Sequence, residues 1–162
     1  MLDSPANKLD PKIKAVWTIS ALLLTLVIIL PLWGLGALIC FEDFPDAMGT
    51  TSLVFGIILV ACLVIFCGIL PNLRYARWRY KMTEHQLEIR HGIIWRTQLL
   101  VPFIRVQDTN THQGPLMRAF GLASVTVSTA AGSHTIPGVV VDEADALRGA
   151  IAEQARLARE EL

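Results

Sequence analysis

The sequence predicts an α+β membrane protein, with an N-terminal two-helix transmembrane hairpin, then a small β-rich domain closed by a C-terminal helix. Three observations predict it. Ala15–Phe41 and Thr50–Leu70 hold no Lys, Arg, Asp or Glu. From Tyr80 onward the apolar residues recur every second position, the period of a half-buried strand. From Asp142 to Glu160 they return to a helical stripe.

Composition agrees with this division. The chain has 162 residues, 53% hydrophobic and 17% charged, whereas soluble domains average about 25% charged. The deficit falls in the two apolar runs. The stretch beyond Leu70 is long enough for one small domain with its own core. Net charge is zero but uneven. Arg74, Arg77, Arg79 and Lys81 crowd a neck without an acid, while beyond it seven Arg face nine Asp or Glu. A mildly acidic domain lacks the basic face that nucleic acid requires, so no nucleic-acid partner is expected. Cys40, Cys62 and Cys67 lie in or beside the apolar runs and read as small hydrophobes, not as a disulfide framework.

Residues 1–14, with Lys8, Lys12, Lys14 and two prolines, read as a short, loosely ordered cytoplasmic tail. The first span is expected at about 16–41. It is too long and has too little of a cleavage site for a signal peptide, so it reads as an uncleaved anchor. Trp17 and Trp33 suit the two interfaces. Pro31 is expected to kink the helix and Gly34 and Gly36 to loosen it, leaving 33–41 frayed or interfacial. An acidic connection, Glu42-Asp43-Phe44-Pro45-Asp46, leads to the second span at about 51–70, which Pro71-Asn72 is expected to stop. The flanks rich in Lys and Arg lie on one side of this hairpin and the acids on the other. The positive-inside rule then predicts a multi-pass protein of the plasma (inner) membrane with both termini cytoplasmic.

Beyond the neck at 72–81, strands are expected at Tyr80–Thr83, Leu87–Arg90, Ile93–Val101, Ile104–Thr111, Ala123–Thr129 and Ser133–Ile136. Turns fall at Thr83–His85, His91-Gly92, Gly114-Pro115 and Ala131-Gly132, with one helical turn at Leu116–Phe120. Short strands with closely spaced turns indicate an antiparallel sheet, sandwich or barrel. In the final helix Asp142 suits the N-cap, and Glu143 and Asp145 favour the positive end of the dipole. Leu147, Ile151, Ala155 and Ala158 form a stripe that must cover an apolar surface.

Five stretches of this region are Tyr80-x-Met-Thr83, Leu87-Glu-Ile-Arg-His-Gly92, Ile104-Arg-Val-Gln-Asp108, Gln113-Gly-Pro-Leu-x-Arg118 and Phe120-Gly-Leu-x-Ser-Val-x-Val127. In this order and spacing they resemble a bacterial pleckstrin-homology (PH) domain over about 79–162, and the whole layout resembles the YdbS-like membrane proteins. The resemblance implies a PH-like β-sandwich or partly open barrel, seven strands in two sheets, capped by the C-terminal helix. Phosphoinositide-binding PH domains cluster Lys and Arg on the first two strands. Here Glu84 and Glu88 stand between Lys81 and Arg90, so that ligand is not implied.

No catalytic pattern is present. His85, His91, His112 and His134 form no metal-binding spacing, and there is neither a phosphate loop nor a GxSxG turn. No enzyme activity, cofactor or metal is expected. The leading expectation is a membrane-anchored, non-catalytic interaction or scaffold module in a cell-envelope protein complex, with the lipid bilayer and a protein partner or second copy as its contacts. The alternative is an anionic-lipid or membrane-surface sensor, for which Arg74, Arg77, Arg79 and Lys81 are the candidate lipid-surface residues. A transport or hydrolase component is the weaker alternative.

Overall fold

The computed structural model describes residues 7–43 and 48–160. The chain forms two compact units, one from residues 17–72 and one joining residues up to 16 with those from 73 onward.

The first unit is the helical pair. Helix α1 runs Ile13–Asp43, without a break at Pro31 and without fraying beyond Trp33. Gly36 loosens nothing: a Cβ there would lie 3.4 Å from the Phe55 ring, so its small size admits an aromatic side chain of the second helix. The acidic connection falls partly on Phe44–Ala47, outside the described residues. The second helix starts as α2 (Met48–Cys62), widens into a π-helical segment (Leu63–Ile69) and continues as α3 (Leu70–Arg77). Pro71 therefore does not stop it, contrary to expectation. In an α-helical register Pro71 would donate to the Cys67 carbonyl, but proline has no N–H. The Thr18 hydroxyl donates to that carbonyl instead, at 3.3 Å. One turn on, the Asn72 side-chain amide donates to Gly68 O at 2.8 Å. A wide turn and a neighbouring hydroxyl are the means by which apolar helices absorb a proline. Both helices are long and apolar enough to cross a bilayer, with mean hydropathies of 2.5 and 3.2.

The second unit holds two three-stranded antiparallel sheets. Sheet A is β1 (Arg79–Met82), β2 (Gln86–His91) and β3 (Thr97–Pro102), in that order. Sheet B is β4 (Val106–His112), β5 (Leu122–Thr129) and β6 (Gly132–Val140). Alternation sends Tyr80, Leu87, Ile89 and Val101 inward from sheet A, and Val125, Val127, Ile136 and Val139 inward from sheet B. A 3-10 turn at Phe103–Arg105 carries the chain between sheets and buries Phe103 completely. Between β4 and β5 lies α4 (Pro115–Ala119), with Pro at its first turn and Gly121 beyond its end at φ +66°, the conformation glycine adopts most readily there. The closing helix α5 (Val141–Glu160) buries Ala144, Ile151 and Ala155 and carries Asp142 and Glu143 in its first turn.

Three expectations change. Ile93–Arg96 are not strand: β3 begins at Thr97. The sheets hold six strands among the described residues, where the resemblance implies seven. The N-terminal stretch is not a loose tail from Asn7 onward. Asn7 forms a two-bond bridge with Tyr80 at the outer edge of β1 (2.7 and 3.1 Å), and Asp10 N donates to Gly138 O of β6 at 2.9 Å. Leu9, Ile13 and Val16 are buried. Residues 7–16 thus join the β1 edge of sheet A to the β6 edge of sheet B and complete a core that residues 79–162 leave open. The signal was readable as Leu9, Ile13 and Val16 at helical spacing, but the lysines and prolines around them mask it.

Candidate lipid-surface site

The four basic neck residues fall into three settings. Arg74 and Arg77 occupy the last turn of α3, one helical turn apart and both exposed, where cations suit the negative end of the helix dipole. Arg79 opens β1 and turns its guanidinium back, donating to the carbonyls of Tyr75 (3.4 Å) and Trp78. It caps the neck helix. Lys81 is half-buried on β1 opposite Glu88, and the Glu88 carboxylate accepts from Arg90 Nε and Gln98 Nε2, each at 2.7 Å. Arg74 and Arg77 thus share one helical turn, Arg79 hydrogen-bonds the end of that helix, and Lys81 lies on β1.

The neck is braced by aromatic residues. Lys14 Nζ lies 4.4 Å from the centre of the Tyr75 ring, a cation–π contact that ties the N-terminal stretch to α3. Trp78, nearly buried, stacks on His91 with ring centres 5.3 Å apart and planes 18° from parallel. Tyr80 is buried next, and its phenol is pushed above the ordinary tyrosine range, first by burial and then by the Glu143 carboxylate.

Other motif residues serve the fold. Asp108 accepts from its neighbours Thr109 N (2.8 Å) and Asn110 Nδ2 (2.5 Å). Gln107 sits where the β4–β5 register shifts. The Gln113 amide donates to Leu122 O at 2.9 Å and fastens the α4 loop to β5. Gly92, at φ +117°, closes the β2–β3 turn so tightly that a Cβ would meet the Trp95 carbonyl oxygen at 1.8 Å. That turn carries the feature sequence reasoning missed, since Ile94 and Trp95 are each 85% exposed. Their only sequence signal is two isoleucines and a tryptophan in a row, which do not alternate. Among the described residues no group of three His, Cys, Asp or Glu is placed to hold a metal.

Two antiparallel three-stranded sheets closed by one C-terminal helix are the frame of a PH fold, and the bacterial PH domain family matches residues 11–155. The chain belongs to this family. The bacterial PH match takes in both apolar helices as well as the sheets. The transmembrane protein YdbS of Bacillus subtilis (strain 168) is 34% identical over 157 residues, covering 97% of each chain. No solved structure matches. The protein is therefore a multi-pass membrane protein with two apolar helices and a bacterial PH domain.

Proposed function

We propose that the protein is a membrane-anchored interaction module whose bacterial PH domain holds a protein partner, or a second copy of the chain, in a cell-envelope complex. The observation that carries this reading is the outer edge of β3. β3 is the last strand of sheet A, its side away from β2 has no partner strand among the described residues, and it and the turn after it carry Leu100 and Ile104, 50% and 42% exposed. An unpaired edge beside apolar side chains suits an added strand from another chain, whose main-chain hydrogen bonds give affinity and whose side chains give selectivity. A photoreactive residue at Leu100, placed in the full-length protein in its native membrane, should yield a protein adduct of defined mass. The same residue at Ala152, on the exposed face of α5, should not. Adducts to lipid alone would remove the reading. We also propose the cytoplasmic orientation that the charge distribution predicts. An externally applied thiol reagent should reach a cysteine at position 46 and not one at position 132; the reverse pattern would invert it.

A second reading, an anionic-lipid sensor, is favoured by the pairing of Arg74 and Arg77 on one helical turn. Basic side chains beside an anionic surface contribute about 1 kcal/mol each.

A further inference from the structure

We infer that the β2–β3 turn, residues 92–96, is a second membrane contact of the bacterial PH domain, with Ile94 and Trp95 entering the headgroup region of the bilayer that holds the helices.

Four observations converge on it. Ile94 and Trp95 are adjacent and each 85% exposed, an apolar projection that a purely aqueous surface does not favour. Their exposure is built in. Gly92 adopts φ +117° and folds the turn back on itself, with the Trp95 carbonyl oxygen where any other residue would place its Cβ. The pair therefore projects from a tight turn and has no long loop in which to fold back.

The surrounding charge suits an anionic surface. From Ile89 to Val101, the stretch that flanks the turn, there is no Asp or Glu, while Arg90 and Arg96 are present. Arg90 is paired with Glu88 across the β2 face, and Arg96 adjoins Trp95 in the turn and is exposed. A tryptophan with a neighbouring arginine is the pairing that settles at the membrane–water interface, where the ring is half apolar and the guanidinium reaches phosphate.

Connectivity brings the turn to the end of the sheet through which the chain leaves its apolar helix. That helix ends at Arg77, and β1 begins at Arg79. Arg79 pairs with Arg90, Trp78 stacks on His91, and Gly92 is the next residue. The turn thus starts beside the strand that begins two residues after the membrane helix. The opposite end of sheet A has Glu84 and His85 in its β1–β2 turn, and the exposed apolar residues towards it, Leu100 and Ile104, are not adjacent and are 50% and 42% exposed against 85% for Ile94 and Trp95. This inference is independent of the β3-edge reading, since it concerns a different part of sheet A and a different occupant.

The test uses the full chain reconstituted in phosphatidylcholine–phosphatidylglycerol vesicles. Cys40→Ala, Cys62→Ala and Cys67→Ala clear the background, and Ile94→Cys carries a nitroxide label. Its depth is read from its relative collisions with oxygen and with a water-soluble nickel chelate, against nitroxide-lipid standards. The expected ratio is several-fold above the aqueous value and falls among the headgroup and upper-chain standards. An aqueous ratio overturns the inference. A label shielded from both quenchers, with broadening that disappears on dilution with unlabelled protein, also overturns it and gives the turn to a contact between copies.

Discussion

The side chain of Ile13 fills the space that a Cβ on Gly138 would need, its Cγ1 lying 2.5 Å from that position. Gly138 is at φ +66°, so both its conformation and its neighbour exclude a larger residue. This contact couples the first turn of α1 to β6. The domain is thus made from two stretches of chain separated by the apolar hairpin. Leu9, Ile13 and Val16 are each buried, and burial of such side chains contributes about 1.5–3 kcal/mol apiece. A fragment of residues 73–162 should consequently lack a cooperative unfolding transition or melt well below the domain in the intact protein. Joining residues 7–16 to residue 73 through a short Gly/Ser linker should restore it, because Lys14 already reaches the Tyr75 ring. Denaturant unfolding of both fragments decides the matter. Equal stability would show that the N-terminal stretch is not part of the core. In the linked form Gly138→Ala should undo the gain.

The Thr18 hydroxyl and the Cys67 carbonyl make a second prediction. Thr18→Val should destabilise the helical pair by about 0.5–1.5 kcal/mol, the range of interhelical hydrogen bonds in membranes. Pro71→Ala restores a backbone N–H that can donate to Cys67 in an α-helical register. In that background the cost of Thr18→Val should shrink towards zero. A double-mutant cycle, measured by reversible unfolding in mixed micelles, reads the coupling. Additive costs would mean that the hydroxyl serves another purpose.

Much of this architecture could be read from residue order. Apolar runs without charge, alternation around His85 and from β4 to β6, and the stripe through Ile151 and Ala155 are local patterns, and local patterns survive into structure. Three features depend on tertiary context. Pro71 reads as a stop because its missing donor is a local fact, whereas the acceptor's rescue by Thr18 lies 49 positions away. Residues 7–16 read as a polar tail because the lysines and prolines among them obscure the three side chains that face inward. Ile93–Trp95 read as strand because their composition suits one, and only the fold of Gly92 turns them out. The candidate site shared this limit. Arg74 and Arg77 are neighbours by helical spacing, but nothing local distinguishes Arg79 as a cap.

Tyr80 should make the domain sensitive to alkali. Its folded pKa lies above the ordinary value of 10.0 through burial and the nearby Glu143, so the folded state prefers the neutral phenol. The contribution is fully present below the unfolded pKa near 10 and is lost as pH rises through the higher folded value. Stability should therefore fall more steeply above pH 10 in the wild type than in Tyr80→Phe. The chain has only two tyrosines. Ultraviolet titration of Tyr75→Phe thus tracks Tyr80 alone, and its phenolate should appear later than that of an exposed tyrosine. A normal titration would place the phenol in contact with water.

The basic neck should separate into two functions. Arg79 donates to the carbonyls of Tyr75, which also accepts from Trp78 N at 3.4 Å, and Trp78, at the helix end where carbonyls run short of intrahelical donors. Arg79→Gln should loosen that turn and speed amide exchange at residues 76–80 in neutral and anionic vesicles alike. Arg74→Gln with Arg77→Gln should raise exchange more in anionic vesicles, where the two charges hold the turn against headgroups, than in neutral ones. That electrostatic effect is at most about 2 kcal/mol for the pair, and it should weaken as salt shortens a screening length of about 8 Å at physiological ionic strength. Neither change should release the protein, because two apolar helices already make insertion effectively irreversible. Hydrogen exchange by mass spectrometry across the two lipid compositions and two salt concentrations gives the comparison. Lipid-independent behaviour of the Arg74 and Arg77 pair would make it a topology signal alone. The domain's approach to the surface would then rest on the β2–β3 turn.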